Sequence, residues 1–253
     1  MVAQKCQKGS QMNIIALIPA RYNSTRFPGK PLALLKGKPI IQYVYERAAN
    51  SGLFNTVCVA TDNISILETV KSFGGKAVLT KESHPSGSDR IAEALQYFPQ
   101  AELVFNVQGD EPLIEKEPLQ KLISAFEDRK VQMASLMTVI EDREMIYNPN
   151  IVKVVTDTQN YALYFSRSVI PFQRDSQIDL KYYRHIGVYA YSPECLHRFV
   201  YLSPSILERT EKLEQLRALE NGIPIKMVET SYQGIGIDTP QDLKTIEKLL
   251  SVT

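Results

Sequence analysis

The sequence of 253 residues has no apolar run that approaches the roughly 18 residues needed to span a bilayer. Its first twelve residues, MVAQKCQKGSQM, are polar and lack the apolar core of an export signal. We therefore expect a flexible N-terminal extension over residues 1–12, no insertion into a membrane and a cytoplasmic location.

Cysteine is also scarce. The three cysteines, Cys6, Cys58 and Cys195, are odd in number and far apart, which argues against a disulfide framework or a zinc site. An excess of one charge is missing too, because the formal net charge is only +1. Such a balance gives no general attraction for nucleic acid. We expect any anionic ligand to be held by a local group of Arg and Lys side chains.

Two common phosphate-binding motifs are absent. No Gly-x-Gly-x-x-Gly occurs, and Gly29-Lys30 is followed by Pro31 instead of the Ser or Thr of a Walker A loop. We also find no internal repeat and no low-complexity linker. The chain therefore reads as one globular unit without a dinucleotide-binding fingerprint.

What the first 130 residues do contain is an alternation of short apolar strands and helical segments. The strand NIIALIP at 13–19 leads into a turn-rich stretch, and the strand at 103–107 leads directly into QGDEP at 108–112. This alternation predicts an α/β fold, with a mostly parallel sheet covered by helices on both faces. Ligands bind such sheets beyond the carboxyl ends of the strands, so the loops 20–31 and 108–112 are the first candidates for a site.

The second half of the sequence changes character. Its strand-like segments are richer in β-branched and aromatic residues, which predicts a smaller mixed β/α lobe that grows out of the first. We expect a core at 13–140, a lobe at 141–236 and a return to the core at 237–253. In the later part of the chain we expect the following elements: helices at 192–200, 211–220 and 243–250, and strands at 183–191 and 223–228.

The strongest chemical signal is the basic loop PARYNSTRFPGKP at 19–31. It places Arg21, Arg26 and Lys30 within ten residues of one another. Arg offers a planar fork to phosphate oxygens, and Lys offers a mobile point charge. An ordinary solvated basic loop would look similar, but the position after a buried strand favours a phosphate site.

Two further motifs carry polar groups that suit a nucleotide site. Asp110 follows a buried strand, where a carboxylate can bind Mg²⁺ or can merely stabilise the turn before Pro112. Ser86-Gly87-Ser88-Asp89 has the pattern of a helix capping box, and a helix N-terminus also suits polar ligands.

Taken together, these and later motifs resemble the 3-deoxy-manno-octulosonate cytidylyltransferases, also called CMP-Kdo synthetases. The resemblance covers nearly the whole chain from Asn13. Ser88, where Thr is usual, and Ile237, where Val is usual, are mild departures. The motifs are IPARYNSTRFPGKPL at 18–32, HPSGSDR at 84–90, NVQGDEP at 106–112, NPN at 148–150 with KVV at 153–155, YALYFSR at 161–167, RHIG at 184–187, LEQLR at 213–217 and IDTP at 237–240.

This resemblance implies a Rossmann-like fold of the nucleotide-diphospho-sugar transferase type, in a single nucleotidyltransferase domain at 13–253. The implied reaction converts CTP and Kdo, an acidic sugar, to CMP-Kdo and diphosphate for lipopolysaccharide synthesis. Mg²⁺ is the implied cofactor. The lobe at 141–236 would bind the sugar and form a homodimer.

The resemblance also implies roles for individual residues. Catalysis would depend on Arg21, Lys30, Asp110 and Asp238, and the two Asp residues would bind the metal. The implied nucleotide-binding residues are Arg21, Arg26, Lys30, Ser86, Arg90 and Gln108. The implied sugar-binding residues are Gln108, Arg167, His185, Tyr189, Glu211 and Gln215.

The residues themselves leave plainer interpretations open for the sugar side. A lone His on a strand is more often a packed structural residue, although strand alternation places His185, Gly187 and Tyr189 on one face. Arg167 could pair with the carboxylate of the sugar, or it could form an ordinary surface salt bridge. Glu211 and Gln215 would share one side of a helix, and such a side is usually solvated. We expect His84 and His197 to be structural.

Other functions also stay open from sequence alone. A CMP-sialic acid synthetase or another nucleotide-sugar pyrophosphorylase would share the early loop, but not NVQGDEP, YFSR and LEQLR together. A GT-A glycosyltransferase usually has Asp-x-Asp, where this chain has Asp-Glu-Pro. An inactive nucleotide-sugar sensor would lack the Lys or the metal carboxylates. Kdo and close derivatives such as 8-amino-Kdo cannot be told apart.

Overall fold

The computed structural model describes residues 12–23 and 26–250. The extension expected at 1–12 falls outside these ranges apart from Met12, as do Ser24 and Thr25 of the basic loop. In the first half, strands and helices alternate as predicted: β1 (Ile14–Ala20), β2 (Leu34–Leu35), β3 (Lys38–Pro39), α1 (Ile40–Asn50), β4 (Thr56–Thr61), α2 (Ile64–Ser72), β5 (Ala77–Leu79), α3 (Gly87–Leu95), β6 (Leu103–Asn106) and α4 (Lys116–Ala125).

The second half adds five strands and five helices within the described residues. They are β7 (Met133–Val139), α5 (Arg143–Ile146), β8 (Lys153–Thr156), β9 (Ala162–Ser166), β10 (Tyr183–Tyr191), α6 (Pro193–Val200), α7 (Ile206–Glu211), α8 (Gln215–Glu220), β11 (Lys226–Glu229) and α9 (Pro240–Leu249).

The main sheet has nine strands, and seven of them follow the order β11-β7-β10-β6-β1-β4-β5. β1 pairs in parallel with both β4 and β6, and β4 pairs in parallel with β5. β10 is antiparallel to β6 and β7, and the hairpin of β8 and β9 pairs with β10. The predicted α/β class, with a mostly parallel sheet and helices on both faces, is confirmed. The divisions at 140 and 236 stay predictions, and the sheet itself crosses the first, because β10 pairs with β6.

The core lies on both faces of this sheet, as the apolar run of β1 requires. Ile15 and Leu17 pack into one buried cluster together with residues of α3, α6 and α8. Ile14, Ala16 and Ile18 pack into the other, with residues of α1, α2 and α4. A parallel strand covered on both faces has no solvent side, so its sequence is continuously apolar.

One predicted helix, at 211–220, is wrong. The chain forms α7 and α8 instead, because Lys212 adopts a left-handed conformation (φ 55°, ψ 46°) that ends α7. Glu211 and Gln215 therefore do not share one side of a helix. The end of the chain also differs in detail, since β11 begins at Lys226 and α9 begins at Pro240. α4 was not predicted at all.

Candidate active site

The neighbouring strands β1 and β6 deliver the two predicted loops to the same edge of the sheet. Their parallel pairing continues past β6, where the Val107 N–H donates to the Leu17 carbonyl at 3.1 Å. At Gly109 the two loops come so close that a Cβ would lie 2.8 Å from the Pro19 carbonyl oxygen. Only glycine allows this approach. The Gly of QGD therefore sets Gln108 and Asp110 beside the basic loop.

Lys30 connects the two carboxylates that were predicted to act together. Its Nζ lies 2.6 Å from Asp110 Oδ2 and 3.5 Å from Asp238 Oδ1, and it donates to the Ile237 carbonyl at 2.8 Å. Gly29, with φ of 69°, turns the chain into a short 3-10 helix at Lys30–Leu32. The Lys30 side chain is 14% exposed, so the ammonium is largely enclosed by its partners.

Asp238 reaches this place because the chain returns to the core after β11. The Ile237 N–H donates to the Asp110 carbonyl at 2.9 Å, which joins the two loops through their backbones. Thr239 then caps α9 in a capping box with Asp242, and Pro240 occupies the first turn. Thr at the N-cap and Pro in the first turn both favour a helix start, so α9 begins three residues before the predicted helix at 243–250. Arg26 Nη2 lies 3.2 Å from Asp238 Oδ1, and the Arg26 side chain is 65% exposed.

These loops and α3 enclose a first cavity of about 250 Å³. Every residue predicted to bind nucleotide or metal lines it. His84 lines it as well, although it was expected to be only structural. The predicted residues in its wall are Arg21, Arg26, Lys30, Ser86, Arg90, Gln108, Asp110 and Asp238.

Two of these residues are also bound within the protein. Ser86 is the N-cap of α3, as the capping pattern predicted, and its Oγ accepts from the Asp89 N–H at 3.2 Å. Arg90 is 3% exposed and pairs with Asp62 at 2.6 Å. Its guanidinium also donates to the Thr80 hydroxyl at 2.5 Å. Arg90 therefore supports the cavity wall with a charge that is already neutralised.

A second cavity, of about 980 Å³, lies beyond the first. The two cavities share Arg26, Asp110 and Asp238. Of the residues predicted to bind sugar, Arg167 and His185 line the second cavity, and Gln108 lines the first. Tyr189, Glu211 and Gln215 are not among its lining residues, and Tyr189 and Gln215 are buried behind it at 9% and 6% exposure.

His185 is held by packing on the second cavity's wall. Its ring meets Phe165 and Tyr189 with centroids 5.1 Å and 5.4 Å apart, and its Nε2 lies 2.9 Å from the Ser135 hydroxyl. Burial, and then the charge of Arg184, lower the pKa of His185 to about 3. In the absence of a ligand the imidazole is therefore neutral at physiological pH, which suits a hydrogen-bonding role.

A buried network built on Lys153 shapes the floor beside Arg167. Lys153 is 0% exposed, and its Nζ donates to the carbonyls of Asn148, Ile151 and Arg167 at 3.1, 2.7 and 2.5 Å. Arg167 Nε donates to the Glu211 carbonyl at 2.8 Å. The Glu211 carboxylate accepts from the Arg167 N–H at 3.0 Å and from the Ser166 hydroxyl at 2.6 Å. Glu211 is thus tied to the wall that Arg167 occupies, which is a role sequence reasoning missed.

Glu111 lies under the junction of the two cavities. It is 8% exposed and accepts from the Tyr232 hydroxyl at 3.3 Å. Burial, and then the charge of Asp110, raise the pKa of Glu111 to about 7. Arg184, which the motif RHIG contains but to which sequence reasoning gave no role, lines the second cavity with Glu111.

The carboxylates fit a metal that completes its ligand set from elsewhere. Within residues 12–23 and 26–250, no cluster of three or more His, Cys, Asp or Glu side chains could hold a metal ion. Asp110 and Asp238 nevertheless already share a cation, the Lys30 ammonium. Mg²⁺ in nucleotide sites commonly uses one or two carboxylates with phosphate oxygens and water, so this pair meets its requirements.

In the described part of the chain, no helix has the length and apolarity to cross a membrane.

Comparisons with known proteins agree with this geometry. The family model described as "Cytidylyltransferase" matches residues 15–229. The chain is 53% identical to a 3-deoxy-manno-octulosonate cytidylyltransferase of Thermodesulfovibrio yellowstonii, with 95% of this chain and 99% of the relative covered. It is 49% identical to the protein of the same name from Geobacter sulfurreducens, with 94% and 100% covered.

Solved structures extend the comparison to the fold. A CMP:2-keto-3-deoxy-manno-octonic acid synthetase complexed with CTP superposes with a TM-score of 0.90 at 40% identity, over 95% of this chain and 99% of that chain. The resemblance inferred from the motifs is thereby confirmed. Sequence, fold and the arrangement of charges lead to one conclusion: the chain belongs to the cytidylyltransferase family and, within it, to the 3-deoxy-manno-octulosonate cytidylyltransferases.

Proposed function

We propose that the protein transfers CMP from CTP to Kdo and releases diphosphate. The observation that carries this proposal is the junction of the two cavities, which share Arg26, Asp110 and Asp238. A transfer between two substrates needs such a place, where the donor's phosphorus and the acceptor's oxygen can meet. The relatives named for this reaction match the chain over nearly its full length, which supports Kdo as the acceptor.

The chemistry is a direct displacement. The anomeric hydroxyl oxygen of Kdo forms a bond to the α-phosphorus of CTP, the bond between the α-phosphorus and the bridging oxygen breaks, and diphosphate leaves. The hydroxyl proton is lost to solvent. Phosphoryl transfer of this kind needs positioning and stabilisation of charge more than covalent help from the protein.

On the donor side, the triphosphate would be held by Arg21, Arg26 and Lys30. Arg21 and Arg26 are exposed and Arg26 is paired only at the surface, so a phosphate can take over its Asp238 contact at little cost. Ser86, Arg90 and Gln108 would shape the place of the base and ribose. Arg90 would contribute its shape and not its charge, because its guanidinium is already paired with Asp62.

Nucleotidyltransferases typically use a divalent metal. Here Mg²⁺ would be held by Asp110 and Asp238, and their shared contact with the Lys30 ammonium supports this assignment. When bound, such an ion neutralises phosphate charge and lowers the pKa of a nearby hydroxyl. Lys30 would then be available to the phosphate oxygens.

On the acceptor side, the sugar would occupy the second cavity. Gln108, Arg167 and His185 would contact it from the walls, with His185 as a neutral hydrogen-bonding group. Tyr189, Glu211 and Gln215 would act from behind the wall, since the structure does not bring them to the cavity surface. Assembly as a homodimer, a cytoplasmic location and a place in lipopolysaccharide synthesis stay predictions.

The test is the release of diphosphate from CTP by the purified protein with a panel of sugar acids. We expect release with Kdo or a close derivative such as 8-amino-Kdo, and none without an acceptor. EDTA should abolish the activity and added Mg²⁺ should restore it. Turnover with sialic acid and not with Kdo would contradict the proposed acceptor, whereas turnover in EDTA would contradict only the metal.

A further inference from the structure

Arg184 lines the second cavity, and its charge forms no ion pair with any carboxylate among the described residues. It belongs to β10 and lines the cavity beside His185 and Gly187. It is absent from the lining of the first cavity. A ligand that meets Arg184 therefore lies on the acceptor's side of the shared carboxylates.

The guanidinium of Arg184 has few partners. Its Nη2 donates to the Gly234 carbonyl at 3.1 Å, and its Nε is buried without a hydrogen-bond partner. Among the described residues, no carboxylate forms an ion pair with it. Glu111, the neighbouring acid, directs its hydrogen bond to Tyr232 instead. Burial lowers the pKa of Arg184, and the charge of Glu111 partly opposes this shift.

The other cations of the two cavities differ in this respect. Arg26 and Lys30 are paired with carboxylates. Arg167 donates to the backbone carbonyls of Glu211 and Pro149, at 2.8 and 3.0 Å. Lys212, which also lines the second cavity, is exposed to water. Arg184 thus combines a half-buried side chain, a buried Nε without a hydrogen-bond partner, and a neighbouring acid, Glu111, that forms no ion pair with it.

A half-buried guanidinium with no ion pair and one buried N–H without an acceptor is costly, so such a group in a native fold calls for an explanation. The proposed acceptor supplies one, because it brings a carboxylate into this cavity. A guanidinium presents two parallel N–H groups that match the two oxygens of a carboxylate. We propose that Arg184 binds the carboxylate of the acceptor sugar acid and so selects for an acid over a neutral sugar. This assignment rests on the proposed function, and it names a residue for which sequence reasoning had no role.

Gly234 positions Arg184 for this task. Its φ is 58°, and a Cβ there would lie 3.1 Å from Ile186 Cγ2. A side chain at 234 would therefore displace the carbonyl that receives the Arg184 Nη2 hydrogen bond. The loop after β11 in this way fixes one edge of the guanidinium from the protein side.

The test compares Kdo with its C1 carboxamide, which has nearly the same size but no charge. Diphosphate release from CTP gives kcat/KM for each acceptor. The wild type should prefer the acid by roughly 10- to 150-fold, the effect of one charge-assisted interaction. In Arg184→Gln that preference should collapse, while the KM for CTP stays close to its wild-type value. Arg167→Gln is the matched comparison, and it should keep the preference even if its turnover falls.

Each outcome is decisive. If Arg184→Gln retains the wild-type preference, or if the preference collapses in Arg167→Gln instead, Arg184 does not bind the carboxylate. If the wild type uses both acceptors equally well, the assignment fails although the proposed reaction stands. If the wild type releases no diphosphate with Kdo, the proposed function itself fails and the assignment fails with it. Should Arg184→Gln not fold, Arg184→Lys retains the charge without the fork and should show an intermediate preference.

Discussion

The two cavities that meet at Asp110 hold their charged groups in opposite ways. In the first, Arg26 and Lys30 are paired with the carboxylates, and the outer pair is exposed: the side chains of Arg26 and Asp238 are 65% and 51% exposed. In the second, Arg167 is tied to the backbone carbonyls of Glu211 and Pro149, and Lys153, which is 0% exposed beneath the lining residues, donates to three more carbonyls. The first cavity can exchange its partners when phosphate and metal arrive. The second has walls that are held by hydrogen bonds before any ligand binds, and, among the described residues, Arg184 is the cation there that keeps a buried N–H free for a ligand.

The largest effect should come from the carboxylates that both cavities share. Asp110→Asn and Asp238→Asn should each lower kcat by on the order of 100-fold or more, because a neutral amide is a poorer Mg²⁺ ligand. If both serve one metal, the double variant should lose much less than the product of the single losses. The measurement is steady-state diphosphate release at saturating CTP and Kdo.

Asp128→Asn changes an exposed turn residue that lines neither cavity; it serves as the control and should be nearly normal. A role limited to the α9 dipole predicts that Asp238→Asn costs only about 0.3–1 kcal/mol of stability with ordinary turnover. That result, or fully multiplicative losses, would refute a shared metal site.

The next largest effect should be confined to the donor side. Lys30→Ala and Arg21→Ala should each weaken the use of CTP by roughly 10- to 150-fold, since each removes a charge-assisted phosphate contact. The KM for Kdo should change much less. Lys71→Ala removes an exposed charge at the end of α2 and should leave both KM values unchanged. Normal CTP kinetics in both loop variants would mean that the triphosphate lies elsewhere.

On the acceptor side, the fixed wall can be loosened at Lys153. Lys153→Met fills a similar volume but leaves buried carbonyls without a donor, so the free energy of unfolding should fall by about 1–3 kcal/mol. Because two of the freed carbonyls belong to the loop 148–151 and one to Arg167, the KM for Kdo should rise while the KM for CTP holds.

Val154→Ala is the control for this variant, since Val154 is 2% exposed in the same strand but makes no contact of this type. It should lower stability without moving either KM. An equal rise in the Kdo KM in both variants would assign the effect to general loosening and not to the three hydrogen bonds.

A further effect, on stability rather than on turnover, should appear in the pH dependence of unfolding. His185 has a folded pKa of about 3 against an ordinary value of 6.5, so the unfolded chain binds the proton more readily. The contribution of His185 to the free energy of unfolding is fully present above pH 6.5 and is lost as the pH falls toward 3. Between about pH 7.5 and about pH 5 the loss should be about 2 kcal/mol. Urea unfolding at the two pH values should show a smaller loss in His185→Gln, and an unchanged loss would mean that the imidazole is not held neutral.

Sequence reasoning predicted the donor side well because local rules govern it. A buried strand followed by Arg21, Arg26 and Lys30, and a second followed by Gln108 and Asp110, lie at one edge of a parallel sheet by topology alone. The place of Asp238 could not be obtained in this way. It depends on the backbone contact of Ile237 with Asp110, 127 positions apart, and it was expected only from the family resemblance.

The acceptor side resisted prediction for physical reasons. Lys212 ends α7 in a left-handed conformation that usually calls for Gly, so one continuous helix was the natural expectation. Lys153 sits in the strand KVV, and a lysine there normally predicts a solvated position, because charged residues are rarely fully buried. The available signal for Arg184 was its place beside His185 in a strand of otherwise apolar and aromatic residues, but only the structure shows that it lacks a partner.

The late arrival of Asp238 has a consequence for how the protein is made. The nine strands of the main sheet are complete at Glu229, whereas the second carboxylate follows nine positions later and is joined to the first by the Ile237–Asp110 hydrogen bond. A ribosome builds the chain from its N-terminus, so the scaffold can assemble before the centre for phosphoryl transfer exists. The nascent chain would thus acquire its activity last, once Ile237 and Ile246 of the final segment have also packed against Leu35 and Ile40.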